Sequence, residues 1–182
     1  PRASHGTCIQ GSTAAAWIIK ETDTMGVKKP DSNMGNAVGI CPVLPLYKNG
    51  MLLGMGTDAY TNDMLESLKV ALCSQRSNAC MPNVAWCEVT DMLFKNNAKI
   101  GARYFPNELG VLKAGAAADI IVMDYKPFTP FSDANIAAHM NLGMPSRKCQ
   151  TTLGTGPVPM RHRGPPRPQD EAVHASTHTE RR

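Results

Sequence analysis

The sequence predicts an α/β fold with a small β appendage, on three observations. The apolar run Met51-Leu52-Leu53-Gly54-Met55 shows no polar/apolar alternation, so it reads as a strand buried on both faces. The segment after it has apolar residues at 64, 65, 68, 71 and 72, a helical spacing. Nearer the C-terminus, two short apolar stretches, 111–112 and 120–123, flank a turn at Ala114-Gly115 and read as strands.

The elements follow in order. "AAAWIIKETDTM" (14–25) suits a short helix. "GVKKPDSNMGNAVGICPV" is loop-like, rich in Gly, Pro, Asn and Ser. "LPLYKNG" suits a second short helix closed by Gly50. After the strand at 51–55 comes the helix of "TNDMLESLKVALCSQ", with Asp63 placed to cap it and Glu66 three residues on. Residues 83–105 read as one or two helices, and 136–153 as a further helix-like or strand piece. Five prolines fall between Pro157 and Pro168, so disorder or a poorly packed extension is expected beyond residue 154.

Composition bounds the function classes. A hydrophobic content of 42% supports a packed core, and with aromatics at only 5%, aliphatics and the 11 Met residues must fill it. No apolar run is long enough to span a membrane, and the first segment lacks the pattern of a signal peptide. A cytoplasmic protein with no membrane partner is expected. The net charge of +4 comes wholly from residues 145–182, where 7 basic and 3 acidic residues are scattered among Pro, Gly and Thr. With no aromatic there to stack on bases, a solvated tail is expected and no nucleic-acid partner. The six cysteines form no Cys-x-x-Cys. Pro82 breaks the seven-residue spacing of Cys73, Cys80 and Cys87, so reduced, buried cysteines are expected rather than a metal cluster.

The chemistry-bearing candidate is Asp58, at the exit of the buried strand. Such a carboxylate can cap a helix, partner a buried hydrogen bond, or act as ligand and base. Asp63, five residues on, is the better cap, which weakens the first reading. Asp119 and Asp124 flank the strand at 120–123 and read as turn and strand-end residues, and Lys28-Lys29 as solvated.

At "NMGNAVG", "GMGTDAYTNDM", "NNAKIGARYF" and "LGVLKAGAAADIIVMDY" the chain resembles the amidohydrolase superfamily. Within it, the chain is most similar to aminohydrolases of the SsnA type, grouped with cytosine and guanine deaminases and triazine chlorohydrolases. The resemblance covers roughly residues 18–153. It implies the C-terminal portion of a TIM-type (β/α)8 barrel in residues 1–105, part of a small β-sandwich in 106–153, and the Pro-rich basic tail in 154–182. It also implies a hydrolase acting on non-peptide C–N bonds, deaminating a heterocyclic or amidine-like small molecule with one divalent metal, zinc or iron. Asp58 would end the last barrel strand, buried at the barrel mouth, facing or binding that metal and shuttling protons. Pro30, Ser32 and Asn33 match a turn after the seventh strand, so Ser32 and Asn33 would line the substrate pocket. A homo-oligomer is left open.

The chain also departs from the family pattern. A complete barrel needs about 250 residues. The first-strand His-x-His pair and the fifth-strand His and Glu would lie upstream, and "RHR" (161–163), His174 and His178 do not replace them. In "SHGTCIQ", Cys8 takes the family Cys position, Thr7 stands where the sixth-strand His belongs, and His5 can serve only if the strand shifts by two residues. "VKKP" replaces a His-Asn pair before Pro30. The expectation is therefore a truncated chain, inactive in isolation because one ligand cannot make a catalytic zinc site. A non-catalytic fragment with a binding role is the alternative.

Overall fold

A computed structural model of the chain describes residues 4–6, 21–144, 149–154 and 160–161. Three parallel strands form one sheet in the order β1 (Ser4–Gly6), β2 (Met25–Lys28) and β3 (Leu53–Met55). His5 pairs with Gly26 across β1–β2, and Gly26 with Leu53 across β2–β3. All three C-terminal strand ends therefore lie on one side. α1 (Pro30–Gly35) and α2 (Val43–Lys48) connect β2 to β3. Pro30 suits the first helical turn, where its missing N–H costs nothing, and Gly50 at φ 76° supplies the left-handed exit after α2. β3 is narrower than its apolar run, but all three residues are buried, as expected of a strand covered on both faces.

α3 (Met64–Ala79) forms where the periodicity predicts. The Asp63 carboxylate accepts from the backbone N–H groups of Leu65 and Glu66, each at 3.0 Å, which satisfies two otherwise orphaned donors. Leu68 and Leu72 face inward and join Leu53, Val89 and Met92 in a core with no exposure. Met25, Met51 and Met55 complete it, so Met and aliphatics do fill the interior. Each such side chain contributes roughly 1.5–3 kcal/mol on burial.

The stretch expected as one or two helices runs as α4 (Trp86–Asp91), a π-helical turn at Met92–Asn96, and α5 (Asn97–Gly101). β4 (Ile120–Met123) pairs antiparallel with β5 (Cys149–Leu153), and β5 with β6 (Met160–Arg161). α6 (Ile136–Ala138), continued by a π-helical turn to Gly143, lies between β4 and β5 in sequence.

Five expectations change, the first being the loop-like stretch 26–43, which instead carries most of β2 and all of α1. Residues 111–112 are not a strand. They lie in an exposed loop held by Ala117 N–H donating to the Glu108 carbonyl, with Leu112 86% exposed, so the apolar pair alone does not recruit a partner strand. Beyond 154, Met160 and Arg161 pair with β5 rather than staying irregular; the rest of the tail is outside the described residues. Cys73, Cys80 and Cys87 are exposed rather than buried: Cys73 lies off the buried face of α3, Cys80 is its left-handed cap, and Cys87 lies in α4, whose buried residue is Val89. Of the helix expected over 14–25, residues 14–20 fall outside the described residues and Met25 begins β2. Among the described residues no helix is long and apolar enough to cross a membrane.

Candidate functional site

The C-terminal ends of β2 and β3 bring the candidate residues together. β2 ends at Lys28; Lys29 follows, and Pro30 starts α1 at once. β3 ends at Met55, and Asp58 and Ala59 both take positive φ, 59° and 58°. Asp tolerates this left-handed conformation better than most side chains, because its short polar group bonds locally. The turn closes through Tyr60 N–H donating to the Thr57 carbonyl at 3.1 Å. The Tyr60 ring lies directly on Gly35, where a Cβ would sit 2.1 Å from the hydroxyl oxygen. That close approach docks the turn onto α1.

So placed, the Asp58 carboxylate takes a donor on each oxygen. The Lys29 ammonium reaches Oδ1 at 3.0 Å and the Ser32 hydroxyl donates to Oδ2 at 2.7 Å. Asn36 Nδ2 donates to the Ser32 carbonyl at 2.9 Å and lies 3.3 Å from its Oγ, which orients that hydroxyl. The Ser32 hydrogen bond, then that of Lys29, hold the Asp58 carboxyl below its ordinary range; burial opposes them, and the Lys29 charge adds the smallest lowering effect. A carboxylate so held is a weak base near neutral pH and a good acceptor of further hydrogen bonds.

The sequence expectations fare unevenly. Ser32 meets Asp58. Asn33 is buried in α1 rather than in a turn, and it lines a cavity between α1 and α3 instead of touching the carboxylate. Asp58 is not buried: its side chain is 43% exposed, because the left-handed turn carries it past the end of β3. Lys28-Lys29 is not a solvated pair. Lys28 is 2% exposed, and Lys29 is the counter-charge of Asp58. The backbone of His5 lies in β1 opposite Gly26; its side chain is outside the described residues. Lys29 and Asn36 are site residues that sequence reasoning missed. The usable signal was a pair of lysines at a strand end, directly before a helix-starting Pro.

The chemistry of this donor set does not fit a metal centre by itself. A divalent cation at Asp58 would meet the Lys29 ammonium, and among the described residues no group of three His, Cys, Asp or Glu converges anywhere.

The family profile described as the amidohydrolase family matches residues 3–156. The 5-methylthioadenosine/S-adenosylhomocysteine deaminase of Thermococcus sibiricus is 28% identical over 162 residues, 87% of this chain and 37% of that protein. The 5'-deoxyadenosine deaminase of Methanosarcina mazei is 28% identical over 165 residues, 87% of this chain and 36% of that protein. An adenosine deaminase from Xanthomonas campestris, solved with bound zinc, superposes with a TM-score of 0.76 at 17% identity. That overlay covers 97% of this chain and 41% of the other, so the two share a fold over nearly all of this chain. The chain thus spans well under half the length of these relatives.

Proposed function

Because this chain belongs to the amidohydrolase family, we propose that it is the part of a hydrolase that supplies the proton-handling carboxylate, Asp58, for hydrolytic deamination of an amino-substituted heterocycle. The relatives it matches are deaminases of adenosine-type nucleosides by name, and they support a small-molecule substrate with an amidine-like C–N bond. In the same reading, residues 1–105 supply the last strand–helix units of a (β/α)8 barrel, and 106–153 part of a small β-sandwich. The parallel order β1-β2-β3 and the antiparallel order β4-β5-β6 support that division.

The supporting observation is one carboxylate presented at the C-terminal end of a parallel strand, where barrel enzymes place their chemistry, on a turn held by α1. During reaction Asp58 accepts the proton of the attacking water, and that proton passes to the leaving amine, which departs as ammonia. Ser32 fixes the carboxylate's orientation throughout. Lys29 neutralises its charge between turnovers and must release Oδ1 for the carboxylate to take a proton. A zinc or iron ion belongs to this proposal only with ligands from outside the described residues and with Lys29 displaced.

The test is ammonia release by the protein carrying the complete barrel, on 5'-deoxyadenosine, 5-methylthioadenosine and guanine. The Asp58→Asn variant is expected to lose about 10²–10⁴-fold in kcat on the substrate turned over, with the fold retained and only a small drop in thermal midpoint from the lost Lys29 pair. Wild-type turnover in that variant would remove Asp58 from the chemistry.

A further inference from the structure

Lys28 is a buried cationic side chain that the Asp58 site does not use. It is 2% exposed, and its Nζ has no hydrogen-bond partner among the described residues. An ammonium left unpaired in the interior is costly, because nothing replaces its hydration. Among the described residues no ion pair to Lys28 is found: Asp31 accepts from the Ser67 hydroxyl, and Asp58 is paired with Lys29.

Lys28 borders a cavity of about 30 Å³ between α1, the segment before α2, and α3. That is room for more than a single water. Met34, Ile40, Val43 and Met92 are among its apolar lining, with Met34 and Ile40 at its exposed rim, and buried Asn33 is among its polar lining. Gln75 frames it rigidly: Oε1 accepts from Val43 N–H at 3.1 Å, and Nε2 donates to the Cys41 carbonyl at 2.8 Å.

We propose that this cavity binds a small monocarboxylate, of formate to propionate size, with its carboxylate on Lys28 and its carbon tail against Met34, Ile40 and Val43. The apolar wall selects this class. A strongly hydrated inorganic anion would lose its water there with one cation to replace it, whereas a short carboxylate brings both a charge for Lys28 and carbon for the wall. The site is separate from Asp58, although α1 carries a residue of each: Ser32 bonds Asp58 and Asn33 lines the cavity.

The experiment titrates sodium acetate into the 182-residue chain, replacing sodium chloride at constant ionic strength and neutral pH, and follows Tm. The wild-type Tm is expected to rise by about 3 °C, following ln(1 + [acetate]/Kd). Lys28→Met and Lys28→Gln are expected to fold, since neither removes a hydrogen bond, and to show no rise. An equal rise in both variants, no rise in the wild type, or the same rise with sodium sulfate would each overturn the proposal. Should neither variant fold, line broadening of ¹³C-acetate on the wild-type chain decides: saturable broadening supports the site, and its absence overturns it.

Discussion

Asp58 and Ala59 are two consecutive non-glycine residues at positive φ, and the two pay unequally for it. The Asp58 side chain gains hydrogen bonds from Lys29 and Ser32; the Ala59 methyl recovers nothing and keeps its steric clash. Ala59→Gly is therefore expected to stabilise the chain by about 0.5–1 kcal/mol, read from the urea midpoint. A loss of stability would mean that the turn is not left-handed in solution. Ser32 gives a second prediction at this scale. Its hydrogen bond is the largest influence holding the Asp58 carboxyl low, so Ser32→Ala is expected to move that titration upward. A ¹³C NMR titration of the carboxyl carbon that left it in place would assign the effect to Lys29 instead.

Among the elements, β3 and α5 depend on each other. The even-numbered residues near β3 bond toward β2: Gly26 N–H donates to the Leu52 carbonyl and Gly56 N–H to the Lys28 carbonyl. Leu53 and Met55 consequently face the other way, onto an open edge. Side chains cover that edge. Asn97 accepts from Met55 N–H at 2.9 Å and donates to the Met55 carbonyl at 2.8 Å, and Asn96 donates to the Leu53 carbonyl at 2.9 Å. A carboxamide thus stands in for a neighbouring strand and blunts an edge that would otherwise invite pairing. Asn97→Leu is expected to cost about 1–3 kcal/mol and to increase concentration-dependent association in sedimentation. Gly54 is what lets α5 come this close, since a Cβ there would lie 2.5 Å from Asn97 Oδ1 and 2.6 Å from Ile100 Cδ1. The glycine that punctuates the apolar run is a contact surface for a helix over forty residues later.

At the scale of the whole molecule, a polar contact ties the segment between β4 and β5 to the core around the parallel sheet. Asn141 Nδ2 donates to Thr90 Oγ1 at 2.8 Å, while within the segment the buried His139 ring stacks on Phe131 with centroids 4.8 Å apart. Nearer the core, Tyr47 donates to Asp91 at 3.0 Å, and burial first, then that hydrogen bond, push its pKa up to about 12. The protonated phenol is favoured in the folded state. Its contribution is therefore full below the unfolded value of about 10 and is lost as pH rises toward 12. Asp58 has the opposite sign: its contribution is present above the ordinary carboxylate range and is lost as pH falls through its lowered value. Stability should thus fall on both flanks, and Tyr47→Phe should flatten the alkaline one. Urea midpoints at about pH 9 and pH 11 check this; an equal alkaline loss in the variant would place the titrating group elsewhere.

What the sequence determined by itself was local or repeated within a few residues. The 3.6-residue spacing of Met64 to Leu72, the Asp63 cap, the apolar runs at 53–55 and 120–123, and the motifs around Gly54–Met64 were all legible, because each depends on neighbours along the chain. The family membership was legible for the same reason. The tertiary structure alone decided which charges meet. Lys29 and Asp58 are 29 residues apart, Asn97 and Met55 are 42 apart, and no periodicity connects them. It also decided that Lys28, adjacent in sequence to an ion-paired lysine, is buried with its amine unpartnered among the described residues. Two identical neighbours end in different environments because Lys28 closes β2 while Lys29 leads into α1, and only the packing around each says what it meets.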